Sequence, residues 1–129
     1  MIKIFDTEKG VAFIDFTGRL RRNGKTTKSE SLLEARIVNF YSNDKLVGSL
    51  AYEIYSKADF LADGPYFTNS GNGSVLIHTV FVRPKYRGRG IMRDLFGVVK
   101  RECKPVYMSF CNESLGRYFD KFKVNHERV

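Results

Sequence analysis

Val75-Leu76-Ile77-His78-Thr79-Val80-Phe81-Val82-Arg83-Pro84-Lys85-Tyr86-Arg87-Gly88-Arg89-Gly90-Ile91-Met92 is the stretch on which the fold turns. Its first eight residues are dense in β-branched side chains and lie between Gly73 and Pro84, which predicts a buried strand over 75–82. Arg87-Gly88-Arg89-Gly90 then reads as a tight turn. From Ile91 the apolar residues fall at 91, 92, 95, 96, 98, 99 and 103, one broad face of an α-helix that Pro105 stops.

A strand, a short glycine-containing loop and a helix make a phosphate site. The first helical turn offers backbone N–H groups with no partner, and the helix dipole adds positive potential there. Gly88 and Gly90 carry no Cβ, so the loop can take positive φ and the main chain can approach a pyrophosphate closely. Arg87 and Arg89 are expected to add mobile charge. A solvated turn ahead of an amphipathic helix is the plainer reading of the same residues.

These residues resemble the acyl-CoA-binding loop of the GNAT superfamily of N-acetyltransferases, Arg/Gln-x-x-Gly-x-Gly/Ala between the fourth strand and its helix. Here the loop is Arg87-Gly88-Arg89-Gly90-Ile91-Met92, and Val82-Arg83-Pro84-Lys85-Tyr86 resembles the family's Val-x-Pro-x-Tyr lead-in. The resemblance implies acetyl-CoA as cofactor, with binding roles for Val80, Phe81 and Val82 on the strand and for Arg87, Gly88, Arg89, Gly90, Ile91 and Met92 in the loop. Met92 departs from the pattern. Gly or Ala is preferred there, so a long side chain must turn away or partly obstruct the site.

At 129 residues with 43% apolar content, the chain is expected to form one domain over residues 1–129 around a single core. No run approaches the roughly 18 to 20 apolar residues of a membrane span, and the N-terminus lacks a secretion-type apolar block. A soluble, cytoplasmic protein with no membrane partner is expected. Cys103 and Cys111 are the two cysteines, and with two histidines they support neither a disulfide framework nor a zinc cluster. Both are read as packed free thiols.

The net charge of +8 is unevenly placed. Arg19 to Lys28 holds five basic residues and no acid, and Arg83 to Lys104 holds eight basic and two acidic residues. The second segment is the proposed phosphate loop and its helix. The first, Arg19–Lys28, suits a polyanionic partner such as nucleic acid, or is a solvated hairpin tip.

In chain order, Ile2 to Phe5 and Val11 to Phe16 read as two strands of a hairpin around Asp6 to Gly10. Arg19 to Ser31 reads as a mobile loop or the exposed end of a hairpin. Glu34 to Tyr41 and Leu46 to Tyr55 form a second hairpin around Ser42-Asn43-Asp44-Lys45. A short helix is expected at Lys57 to Leu61 and loop over Asp63 to Ser74. Val106 to Phe110 is a short strand. Leu115, Tyr118, Phe119 and Phe122 mark a last helix capped by Asn112 or Ser114, and Asn125 to Val129 is a polar tail.

The expected fold is α+β, a mixed, mostly antiparallel central sheet carrying the strand-loop-helix, as in the GNAT fold. The two helices after the first strand and the closing hairpin are reduced. Those elements wall the acceptor side in the family, so this site is expected to be open there.

Acetyl transfer to an amine needs a neutral amine, a polarised carbonyl and a proton for the leaving thiolate. In the resemblance, the residue four before Val82 is often a carboxylate acting as base; here it is His78, whose imidazole can accept a proton in that role. Period two puts His78, Val80 and Val82 on one face of the strand. A buried histidine satisfied by a backbone carbonyl is the alternative. The segment from Asn112 to Phe122 resembles the family's Asn-x-x-Ala-x-x-Phe-Tyr-x-Lys run, which implies that Asn112 contacts the pantetheine. The family's acid, a Tyr, falls on Phe119, leaving Tyr118 as the adjacent candidate.

The reading is an acetyl-CoA-dependent N-acetyltransferase with a weak activity, acting on an amine of a protein or other macromolecular acceptor. Two alternatives stand beside it: a GNAT-fold interaction module with lost catalysis, and a nucleic-acid-acting protein.

Overall fold

Asn43 and Asp44 both take positive φ (49° and 63°), the conformation a two-residue turn needs between right-twisted strands. They join β4 (Arg36–Ser42) to β5 (Lys45–Tyr55) in the expected hairpin. The structure, a computed structural model, describes residues 1–24, 35–55, 74–102, 106–108 and 126–128. Its other strands are β1 (Ile2–Phe5), β2 (Ala12–Ile14), β3 (Leu20–Arg22), β6 (Ser74–Val82), β7 (Val106–Met108) and β8 (His126–Arg128). A 3-10 turn (Pro84–Tyr86) and α1 (Ile91–Lys100) follow β6.

The main sheet runs β1-β4-β5-β6-β7-β8. Its first four strands are antiparallel neighbours, and β7 and β8 add in parallel. This is the mixed, mostly antiparallel α+β sheet that the sequence implied. Two assignments change and one narrows. The Ile2–Phe5 strand pairs with β4 and not with the strand after it, because β4 presents a long apolar edge while β2 is captured by β3. Leu20–Arg22, read as a mobile loop or the exposed end of a hairpin, is that capturing strand, in line with the second reading. His126–Arg128, expected in a polar tail, pairs with β7. The short helix at 57–61, most of the loop over 63–74, the last helix and both cysteines lie outside the described residues.

The two faces of the sheet are covered differently. On one, α1 buries Ile91, Leu95, Phe96, Val98 and Val99 against Val38, Leu50, Tyr52, Val75, Ile77, Val80 and Val82. Each such apolar side chain contributes about 1.5–3 kcal/mol when buried. At the end of α1, Glu102 accepts from Arg36 Nη1 (2.9 Å) and from Tyr52 OH (3.2 Å), tying the helix to β4 and β5. Gly48 lets α1 sit close, since a Cβ there would stand 3.1 Å from Ile91 Cγ2 and 3.4 Å from Val82 Cγ2.

On the other face lies the β2–β3 hairpin, with Phe13 packed against Ala35, Ile37 and Ala51. Polar contacts fix its place. Asn39 and Ser49 are fully buried. Asn39 Nδ2 donates to Ala12 O (2.7 Å), Ile14 N donates to Ser49 Oγ (2.9 Å), and Ser49 Oγ donates to Asn39 Oδ1 (2.7 Å). Within the hairpin, buried Asp15 accepts from Thr17 N, Thr17 Oγ1 and Arg19 N through Oδ1, and from Arg21 Nε through Oδ2 at 2.6 Å. Burial pushes the Asp15 carboxyl up, but these four donors together outweigh it and hold the group below its ordinary value of 3.8.

Two outcomes are expected from this packing. Asp15→Ala leaves the hairpin donors without their acceptor and should cost about 2–4 kcal/mol in urea unfolding. Because the folded carboxyl is depressed, its contribution is full above the unfolded value near 3.8 and is lost as pH falls through the folded value. The parent should therefore lose stability on acidification below that range more steeply than Asp15→Asn. Gly48→Val overpacks the seam under α1 and should destabilise by about 1–3 kcal/mol.

Candidate active site

The register of β5 against β6 shifts by one residue in the middle of the sheet. Ala51 pairs with Thr79 and Tyr52 pairs with Ile77, so His78 is an extra residue with no partner on β5. Such a bulge re-aims side chains and breaks strict alternation. Val75 and Ile77 face α1 below it, and Val80 and Val82 face α1 above it. His78 is therefore not on the face of Val80 and Val82, as period two implied. Its Nε2 lies 3.0 Å from Glu53 Oε1, and Glu53 follows Ala51 by two on the hairpin side of β5.

The same point is a fork among the described residues, where β7 pairs with Val75, Leu76 and Ile77. From His78 to Val82, among the described residues, β6 is paired on its β5 side alone. Arg83 N donates to Val47 O (2.8 Å), so by alternation Phe81 also directs its main-chain groups toward β5, while Val80 and Val82 direct theirs to the unpaired edge.

That edge leads into the loop. Gly88 and Gly90 take φ of 78° and 80°, as expected, and Gly90 is the N-terminal cap of α1 with no side chain bonded to it. The first helical bond is Asp94 N to Gly90 O (3.1 Å), so the N–H groups of Ile91, Met92 and Arg93 precede the helical ladder. Met92 is partly buried against the α1 core, turned away from this opening. Arg93 folds back over Gly90, with Nη2 placed 2.8 Å from where a Cβ would stand.

Both loop arginines make contacts within the loop. Arg87 Nε donates to Val82 O (2.9 Å), and its guanidinium lies 5.2 Å from the Phe81 ring centre. Arg89 lies 5.4 Å from the Tyr86 ring. Stacking of this kind is worth about 0.5–1 kcal/mol at exposed sites, enough to bias where the charge points. Phe81 in turn backs onto the hairpin at Gly18, where a Cβ would be 3.1 Å from its Cζ. The β2–β3 hairpin thus packs beside the strand that leads into the loop.

The first basic segment is partly committed. Arg21 is bound to Asp15 and Arg22 Nη1 donates to Gly10 O (2.9 Å), while Lys25 and Lys28 lie outside the described residues. Asn112, Tyr118 and Phe119 also lie outside them. Glu53 is the site residue that sequence reasoning missed, because nothing local marks it; only the bulge brings His78 to it. Among the described residues no group of three or more His, Cys, Asp or Glu side chains is placed to hold a metal ion, and no helix is long and apolar enough to cross a membrane.

A comparison with curated proteins finds no match. Among solved structures, the Bacillus subtilis N-acetyltransferase YlbP in complex with coenzyme A is similar with a TM-score of 0.55 and 21% identity, over 67% of this chain and 53% of that one. Aminoglycoside N-acetyltransferase AAC(6')-Iy in complex with CoA gives 0.54 and 17%, over 67% and 65%. The ribosomal-protein-alanine N-acetyltransferase from Brucella melitensis biovar Abortus 2308 gives 0.51 and 14%, over 70% and 62%. The chain thus spans less than two thirds of the length of each. The model of the acetyltransferase (GNAT) family matches residues 6–114. With its forked sheet, glycine loop and uncapped helix within that match, the chain belongs to the GNAT family of acetyltransferases.

Proposed function

We propose that residues 1–129 form one acetyltransferase domain that binds acetyl-CoA and transfers its acetyl group to an amine of a macromolecular acceptor, in the cytoplasm. One observation carries the reading: the edge of β6 from His78 to Val82, unpaired among the described residues, runs straight to the uncapped N-terminus of α1. The residues present fit the group. Val80 offers its main-chain N–H and C=O, and Val82 its N–H, to an extended amide-bearing arm, as an added strand would find them, while Val82 O holds Arg87. Arg87, Gly88, Arg89 and Gly90, with the N–H groups of Ile91 and Met92, form a concave, positively polarised seat for a pyrophosphate. Asn112 and Tyr118 keep their proposed roles at the pantetheine and as proton donor.

Acetyl-CoA supplies an acetyl thioester, whose C–S bond breaks with its electron pair on sulfur as the amine lone pair forms the C–N bond. His78, at the first unpaired position of β6, takes the proton that the amine gives up. Main-chain N–H groups on the open edge polarise the carbonyl that is attacked. The β2–β3 hairpin, with Phe16 and Leu20 exposed (49% and 60%), borders the acceptor side and offers apolar surface to a large partner. For a nucleic-acid acceptor, Arg21 is partly neutralised by Asp15, while Arg22 stays exposed with one hydrogen bond to Gly10 O.

Titration calorimetry tests the seat. Acetyl-CoA should bind in the micromolar range, roughly −8 kcal/mol at 25 °C, and more weakly as salt rises. Gly90→Val should abolish binding while the chain stays folded. A β-branched residue strains at φ 80°, and its Cβ would displace the Arg93 guanidinium. Unchanged affinity in a folded Gly90→Val protein would rule out the phosphate seat. His78→Ala should lower turnover by roughly ten- to ten-thousand-fold with acetyl-CoA affinity retained, the range for losing a general base. An unchanged rate would return His78 to a structural role.

A further inference from the structure

Glu53 and His78 stand on different strands, and the bulge is what joins them. Without the extra residue in β6, strict alternation would carry His78 to the α1 face with Val80 and Val82, where the cluster is apolar. With it, the imidazole turns to the hairpin face and meets the Glu53 carboxylate at 3.0 Å. The contact is within ion-pair range but off the line of an ideal N–H donor, and Nε2 is buried. The side chains retain 20% and 27% exposure, so the pair is reachable while this nitrogen is closed to solvent. The pair also lies next to the last described β6–β7 pair, Ile77 with Met108, at the start of the edge assigned above to acetyl-CoA.

A carboxylate on one ring nitrogen fixes the imidazole's orientation and tautomer, and stabilises the imidazolium that forms when the other nitrogen takes a proton. Contacts of this kind are often misaligned before substrate binds and tighten afterwards. We propose that Glu53 is a positioning residue for catalysis: its carboxylate holds Nε2–H of His78, leaving the Nδ1 lone pair to accept the proton of the attacking amine. This rests on the acetyl-transfer reading above. In balance, the amine proton passes to Nδ1 and then to solvent, the acetyl group moves from sulfur to nitrogen, and the thiolate takes a proton from Tyr118, which solvent then reprotonates. Glu53 changes no bond of its own.

The test follows CoA release from acetyl-CoA, with glycinamide as the probe amine, in the parent, Glu53→Gln, Glu53→Asp, His78→Ala and the Glu53→Gln/His78→Ala double variant. Calorimetry with acetyl-CoA is run on each. Glu53→Gln should lower kcat by at least about tenfold while KM for acetyl-CoA stays within about twofold. In the His78→Ala background the same change should alter the rate by less than about twofold, because a residue acting through His78 has nothing left to position. Glu53→Asp, which keeps the charge, should recover part of the loss. Equal factors in both backgrounds would make Glu53 a structural residue and overturn the proposal, as would an unaffected Glu53→Gln. If Glu53→Gln does not fold, Glu53→Asp decides: a rate as low as that of His78→Ala overturns the pairing, and an intermediate rate supports it. A parent that binds acetyl-CoA but releases no CoA overturns the pair's role alone. A parent that does not bind acetyl-CoA sinks the reading on which it rests.

Discussion

One surplus residue in β6 governs the rest of the molecule. Where Ala51 pairs with Thr79 and Tyr52 with Ile77, His78 has no place in the ladder, and the strand must bend to accommodate it. Below that point β6 is hydrogen-bonded on both edges; above it, among the described residues, only the β5 side is used. The bulge costs ladder bonds in the middle of a sheet, and the apolar seam with α1 offsets that cost on both sides of it, through Val75 and Ile77 below and Val80 and Val82 above.

The fork and the helix N-terminus are mechanically one unit. Arg83 N stays tied to Val47 O at the end of β6, and Arg83 Nε donates to Leu46 O (3.0 Å), so the strand enters the loop from a fixed direction. Arg87 then closes back on Val82 O and on the Phe81 ring. Pro84 opens a single 3-10 turn, and Gly88 and Gly90 supply the two left-handed residues that swing the chain into α1. The loop charges are thereby pre-positioned, which lowers the ordering cost of binding an anion.

On the opposite face, among the described residues, a short hairpin covers the sheet. The β2–β3 hairpin is too small to be held by apolar area alone, and its position comes from directional bonds: Asn39 and Ser49 reach up from β4 and β5 to the β2 main chain. Asp15 satisfies the turn beyond it by accepting from four donors. Fully satisfied buried polar groups of this kind specify one placement among many that apolar contact would tolerate. Gly18 then seats Phe81, linking the hairpin to the strand that carries the open edge.

The sequence by itself determined what is local. The strand over 75–82, the glycine loop and the amphipathic α1 are written in β-branched density, paired glycines and helical spacing, and Asn43-Asp44 marks a tight turn without any tertiary information. The family motif, being contiguous, was legible for the same reason. Tertiary structure decided whatever depends on pairing across the chain. That β1 lies beside β4, that β3 exists at all, that Arg21 and Arg87 are spoken for and that His78 meets Glu53 are matters of register between distant segments. Period two assumes an unbroken ladder, and one bulge reverses its answer for the residue it displaces; which strand position carries the surplus residue is set by the partner strand, which a reading of β6 alone does not contain.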